Sequence, residues 1–213
     1  MMFTDYKKRV MVLAPHTDDG EFGCGGTISK LIENGAEVYY VAFSACEQSV
    51  LPQFPKDILI TEVKAATRVL GIKPENLILF NYAVRTFNYR RQEILENMIE
   101  LRKQIDPEII FMPSTNDIHQ DHYTIAQEGL RAFKHCNILC YEVPWNNLTF
   151  NTLCFSVLEE HHVKKKVAAL VEYKSQAHRT YAIEQFINSL ATVRGVQIGK
   201  SYAESFDVLR LLL

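Results

Sequence analysis

An α/β fold, with a mostly parallel sheet carrying helices on both faces, is predicted by three features of this chain. Short apolar runs without polar alternation recur at residues 10–13, 37–44, 76–80 and 108–112, as expected of strands buried on both faces. Segments with helical spacing lie between them, at residues 28–32, 57–70 and 90–104. Such alternation gives a three-layer α/β/α, Rossmann-like arrangement. Polar residues are concentrated directly after the first and fourth runs, where open parallel sheets place ligand sites.

At 213 residues the chain fits one domain, residues 1–213, with one substantial core. Hydrophobic residues at 47%, charged residues at 23% and a formal net charge of -2 describe an ordinary globular protein. They speak against a nucleic-acid partner, since no basic run is longer than Lys164-Lys165-Lys166, which reads as a solvated helix face. The amino terminus is polar where a secretory signal needs an apolar segment, and no stretch reaches membrane-spanning length, so a cytoplasmic location is expected. A homo-oligomer stays open beside a monomer. Cys24, Cys46, Cys136, Cys140 and Cys154 are odd in number and irregularly spaced, which speaks against a disulfide framework.

The first strand, residues 10–13, runs into Ala14-Pro15-His16-Thr17-Asp18-Asp19-Gly20-Glu21 and then Phe22-Gly23-Cys24-Gly25-Gly26-Thr27. An imidazole among three carboxylates is costly to bury unless a positive charge joins it, and a divalent cation is the simplest answer. His16 and one of the two aspartates supply two ligands, and the other aspartate stays free to take a proton from water. The bland alternative is that Asp18 or Asp19 only caps the helix expected at 28–32. The glycines fail the dinucleotide fingerprint, because Ile28 stands where its third glycine belongs. They are expected to close the turn and bring the backbone near the cation. Cys24 is read as small buried packing, with oxidation-sensitive control of the site as the alternative.

Gly35 stops the first helix before the second strand. Pro52 and Pro55 mark a loop at 45–56, and Gly71 ends the helix at 57–70 on its apolar stripe of Ile60, Val63, Ala66 and Leu70. After the third strand, residues 82–89 form a candidate substrate loop offering Arg85, Phe87 and Tyr89. The fourth strand delivers Pro113-Ser114-Thr115-Asn116-Asp117-Ile118-His119-Gln120-Asp121-His122. One of its two histidines completes a His, Asp, His ligand set, and the other stays off the cation, held by Asp121, as an acid or oxyanion donor. Residues 137–143 and 154–158 read as further strands, His161 and His162 as surface residues before a helix at 163–173, and Val208 onwards as a terminal strand. Glu204 either orders a loop or points into the site.

The two polar segments resemble the signature of the LmbE-like, or PIG-L, family of metal-dependent de-N-acetylases, His-Pro-Asp-Asp-x-Glu after the first strand and His-x-Asp-His after the fourth. Here they read His16-Thr17-Asp18-Asp19-Gly20-Glu21 and His119-Gln120-Asp121-His122. Weaker likeness extends through Gly23-Cys24-Gly25-Gly26-Thr27, Val69-Leu70-Gly71, Lys174-Ser175-Gln176 and Tyr202-Ala203-Glu204-Ser205-Phe206. The resemblance implies that His16, Asp19 and His122 bind Zn2+, that Asp18 is the general base, and that His119, oriented by Asp121, is the acid or oxyanion stabiliser. Two nitrogens and a carboxylate also suit Fe2+ or another divalent ion. Thr17 replaces the usual proline, and Leu59 stands where relatives commonly carry an arginine, three residues before Glu62. Ser44-Ala45-Cys46-Glu47 departs from the common Thr-x-Gly-Glu.

The implied activity is hydrolysis of the acetamide of a small N-acetylated sugar or sugar conjugate. Trp145 then either stacks on the sugar or covers the core edge. Two rivals stand beside it: a metal-containing sugar-binding or regulatory protein without catalysis, and a metal hydrolase of another amide or an ester.

Overall fold

The computed structural model describes residues 8–212; the polar amino-terminal residues 1–7 and Leu213 lie outside the described residues. The strands are β1 (Arg9–His16), β2 (Glu37–Ser44), β3 (Leu77–Leu79), β4 (Ile109–Pro113), β5 (Asn137–Tyr141), β6 (Cys154–Leu158) and β7 (Tyr202–Arg210). The helices are α1 (Asp19–Glu33), α2 (Ile58–Leu70), α3 (Arg91–Ile105), α4 (Gln120–Ala132), α5 (Glu160–Val171) and α6 (Glu184–Val196). One sheet holds all these strands in the order β3-β2-β1-β4-β5-β7-β6. Its first five members run parallel, and β7 is antiparallel to both β5 and β6.

The unbroken apolar runs are explained by a core on each face. In β1, Val10, Val12 and Ala14 join a cluster with residues of α1, α2 and α5, whereas Met11 and Leu13 join one with α3 and α4. Burying each of the larger ones, Val10, Val12, Met11 and Leu13, contributes about 1.5–3 kcal/mol. The chain winds outward from β1 through β2 to β3, then returns to place β4 on the other side of β1. That reversal opens a crevice at the carboxyl ends of β1 and β4, the ends that carry the two polar segments.

Several expectations need correction. Helix α1 begins at Asp19 rather than near Ile28, so the acidic residues occupy its first turn, and it is broken at Cys24 (φ -147°, ψ 23°). Its glycines serve close packing rather than a turn: a Cβ at Gly20 would lie 2.5 Å from the Tyr40 ring and one at Gly23 2.3 Å from Tyr141. Strand β3 is a partly buried edge strand of three residues, because among the described residues only β2 pairs with it. Helix α5 starts at Glu160, capped by Glu159 and His162 in a reciprocal box. His162 is therefore buried, as is Lys166, while His161 and Lys164 are exposed. Helix α6 was not anticipated, and β7 starts at Tyr202 rather than Val208. The cysteines are all free.

Candidate active site

Strand β1 ends on His16 and α1 opens three residues later, so the His16 N–H donates to Asp19 Oδ2 at 2.8 Å. Beyond β4, Asp117 accepts the His119 N–H at 2.8 Å, an Asx turn that leads the chain into α4. His119 is the N-cap of α4, its Nδ1 accepting the Asp121 N–H at 3.2 Å. His122 then falls in the first turn, pointing back towards β1.

These local choices bring three ligand atoms together. His16 Nδ1 lies 3.1 Å from Asp19 Oδ2, His122 Nε2 lies 3.2 Å from the same oxygen, and the two nitrogens are 3.3 Å apart. A tetrahedral ion with bonds of about 2.0–2.1 Å has edges of about 3.3–3.4 Å, so the triangle matches one face of such a site. Outer carboxylates fix the tautomers. Asp121 Oδ2 takes the proton of His16 Nε2 at 3.0 Å, and Asp117 Oδ2 takes that of His122 Nδ1 at 2.7 Å. The inward nitrogens are left with lone pairs facing a carboxylate oxygen, an arrangement that calls for a cation in the middle. His119 stands beside them, its ring 4.9 Å from that of His16, and the imidazoles of His16, His119 and His122 form a group that could hold a metal.

The electrostatics agree. Burial opposes charge on His122, but the Asp19 carboxylate and the Asp117 hydrogen bond outweigh it and raise its pKa to about 10. Burial likewise opposes ionisation of Asp19, yet the His122 and His16 rings hold its pKa well below the usual carboxylate range. Asp18 lies outside the triangle, raised to about 6 by burial and by the Asp19 charge, against the pull of His16 and Arg179. His119 is lowered to about 4 by burial and by the two neighbouring rings. It is neutral at pH 7, and with Nδ1 accepting, its proton sits on Nε2.

Asp121 differs from its expected part. Its carboxylate holds His16, together with the Arg85 N–H at 2.6 Å and the Phe87 N–H at 3.3 Å, and touches His119 only through its own backbone N–H. Asp117, second partner of His122, was not singled out from the sequence; the Asp-x-His spacing of its Asx turn was the signal. Phe87 is fully buried and off the cavity wall, which Arg85 lines.

That cavity, of about 310 Å³, is bounded by His16, Asp18, His119, Arg85, Arg179 and Tyr181, with Leu59 and Trp145 also on its wall. Trp145 packs on the core edge, stacked on Tyr181 at 3.8 Å and edge-on to Phe22 at 5.2 Å, and also lines the cavity. Cys46, not Cys24, faces the cavity; Cys24 is buried at the break in α1. Glu62 accepts the Ser175 N–H at 2.8 Å and its hydroxyl at 2.6 Å, which fixes the turn bearing Gln176 and Arg179.

A second group, Glu33, His161 and His162, also has metal-like spacing. There His162 Nδ1 accepts the Glu159 N–H at 3.0 Å, so its Nε2 carries the proton given to Glu33. That tautomer suits a cap rather than a metal ligand.

The class defined here is an α/β protein whose parallel-sheet crevice gathers side chains that could hold a metal ion. Residues 11–133 match the family model described as PIG-L, GlcNAc-PI de-N-acetylase, and the chain belongs to that family. It is 27% identical to the uncharacterized deacetylase YaiS of Escherichia coli over 79% of this chain and 92% of that one. It is 24% identical to the diacetylchitobiose deacetylase of Thermococcus kodakarensis, over 95% and 83% of the two chains. The N,N'-diacetylchitobiose deacetylase structure from Pyrococcus horikoshii superposes with a TM-score of 0.80 at 23% identity, covering 98% of this chain and 85% of that one; the fold is shared.

Proposed function

We propose that this chain is a zinc-dependent N-deacetylase that hydrolyses the acetamide of an N-acetylated sugar or sugar conjugate. The observation that carries the reading is the triangle of His16 Nδ1, Asp19 Oδ2 and His122 Nε2, with Asp18 beside it on the cavity wall. Family membership and the names of the relatives support the same chemistry.

His16, Asp19 and His122 would hold the ion, and Asp117 and Asp121 orient the two imidazoles. A divalent ion held there would supply Lewis acidity, polarising the acetyl carbonyl and making water easier to deprotonate. Asp18 takes the proton of the attacking water; a carboxyl with a pKa near 6 is matched to a base working at neutral pH. His119 donates its Nε2–H to the carbonyl oxygen as negative charge develops there. Being neutral, with Nδ1 engaged, it has no second proton for the leaving amine. Asp18, now protonated, delivers that proton and returns to its starting state.

Metal analysis and acetate release from a panel of N-acetylated sugars test the proposal. The purified protein is expected to carry one divalent ion, and Asp18→Ala to keep it while losing acetate release by about 10²–10⁴-fold. Turnover undiminished in Asp18→Ala removes the assigned base. An ion that stays bound after His16 and His122 are both replaced by alanine removes the assigned centre.

A further inference from the structure

Two arginines line the cavity, and among the described residues neither has a hydrogen bond or ion pair to a carboxylate. The Arg85 side chain has no hydrogen-bond or ion-pair partner among the described residues; only its backbone N–H is used, on Asp121. Arg179 donates Nε to Gln176 Oε1 at 2.6 Å and Nη1 to the Tyr181 hydroxyl at 2.7 Å. Both acceptors are neutral, and they fix the guanidinium while the rest of its N–H fork stays free. The acids lining the cavity are Asp18 and Asp19. Asp19 is committed to the two imidazoles. The Arg179 charge acts on Asp18, which leaves Arg85 uncompensated.

Arg85 is also held in an unusual backbone state, with φ 69°. A side chain longer than glycine or asparagine at positive φ is uncommon and marks places where the fold imposes a conformation. Here the Arg85 and Phe87 N–H groups both bind Asp121, so the carboxylate that orients His16 also anchors the loop carrying this guanidinium. The cation is therefore tied to the catalytic centre. Leu59 on the same wall brings no charge, so the uncompensated positive charge is that of Arg85, with the spare N–H donors of Arg179 beside it.

We infer that the N-acetylated substrate carries an anionic group, phosphate or carboxylate, and that Arg85 and Arg179 bind it. This inference rests on the deacetylase reading for the acetamide and adds the chemistry of the substrate's other end. Guanidinium forks suit both anions because their N–H donors match paired oxygens.

The test compares acetate release from N-acetylglucosamine with that from its 1-phosphate, its 6-phosphate, N-acetylmuramic acid and a nucleotide-diphosphate-linked N-acetylglucosamine. Calorimetric binding of glucosamine and glucosamine 6-phosphate to the metal-loaded protein runs in parallel. One anionic sugar is expected to exceed the neutral one in kcat/KM by roughly tenfold or more, the factor a charge-assisted hydrogen bond supplies. The preference should shrink with added salt, collapse in Arg85→Gln and persist in part in Arg85→Lys, which keeps the charge. The phosphorylated and carboxylated members tell the two anions apart. A neutral sugar hydrolysed as well as every anionic one, with equal calorimetric affinities, overturns the inference. If no sugar releases acetate, the deacetylase reading fails instead, and the calorimetric pair with its Arg85→Gln control decides the anion question alone. Should Arg85→Gln not fold, the wild-type preference and its salt dependence decide it.

Discussion

Replacing Glu21 by glutamine should change how stability depends on pH, in a direction the hydrogen-bond inventory fixes. Glu21 is fully buried, with Oε2 against the Tyr40 hydroxyl and Oε1 3.0 Å from the Tyr173 hydroxyl. Both hydroxyls also reach Thr17 O, at 2.9 and 2.7 Å. Two hydroxyl protons cannot serve four such contacts, and a protonated carboxyl supplies a third. Burial raises the Glu21 pKa from 4.5 to about 8, against the tyrosine hydrogen bonds. A carboxyl that keeps its proton in the folded state contributes stability at low pH that is lost as pH rises from the unfolded to the folded value. Over that window the wild-type chain should lose about 1.4 kcal/mol per pH unit relative to Glu21→Gln. Glutamine mimics the acid but leaves one amide N–H unpaired, at a cost of about 1 kcal/mol. The variant should therefore be the less stable protein near pH 5 and the more stable one above neutrality, the gap moving by about 2.7 kcal/mol between about pH 5.5 and about pH 7.5. Urea unfolding of both proteins at matched pH measures this difference, and titration of the remaining groups cancels between them. A gap that stays constant across those pH values refutes the assignment of a protonated Glu21.

His119→Ala should lower kcat by about 10²–10³-fold with little change in bound metal, read by steady-state acetate release and metal analysis, since the proposed mechanism uses it as an oxyanion donor and not as a ligand. Lys166→Ala should cost about 3–5 kcal/mol in urea unfolding, because it leaves the Glu204 carboxylate buried without its partner.

The framework was legible because it rests on local signals. Strand β2 occupies its expected residues and α2 ends at Gly71, whose φ of 96° is the left-handed state that glycine tolerates. The meeting of the two polar segments was legible too, since a parallel sheet that winds outward and returns sets the ends of β1 and β4 side by side. Which carboxylate serves which imidazole was not. Asp121 sits two residues from His119 but pairs with His16 across 105 positions, a choice made by the twist of the sheet and the start of α4. Helix α6 escaped notice because its inner face is thin, with Ile187, Ala191 and Gly195 buried, while Val193 and Val196 are exposed on its outer side and blur the period.

The lysine triplet misled for a reason that bears on the site itself. The break at Cys24 strips α1 of part of its hydrogen-bond ladder, orphaning N–H groups on one side and a carbonyl on the other. Glu204 accepts the Gly26 and Thr27 N–H groups at 3.0 and 2.7 Å, capping the second segment as an N-terminal carboxylate would. Lys166 pairs with Glu204 at 2.7 Å and donates to Phe22 O at 2.6 Å, on the first segment. One buried ion pair thus satisfies both sides of the break, the condition under which burying two charges is tolerable. The first turn of α1 is then free to follow its own direction, with Glu21 locked between two tyrosines on one side and Asp19 facing the imidazoles on the other. A straight α1 would have to choose between packing along the sheet and presenting Asp18 and Asp19 to the crevice; the break, and the pair that heals it, let one helix do both.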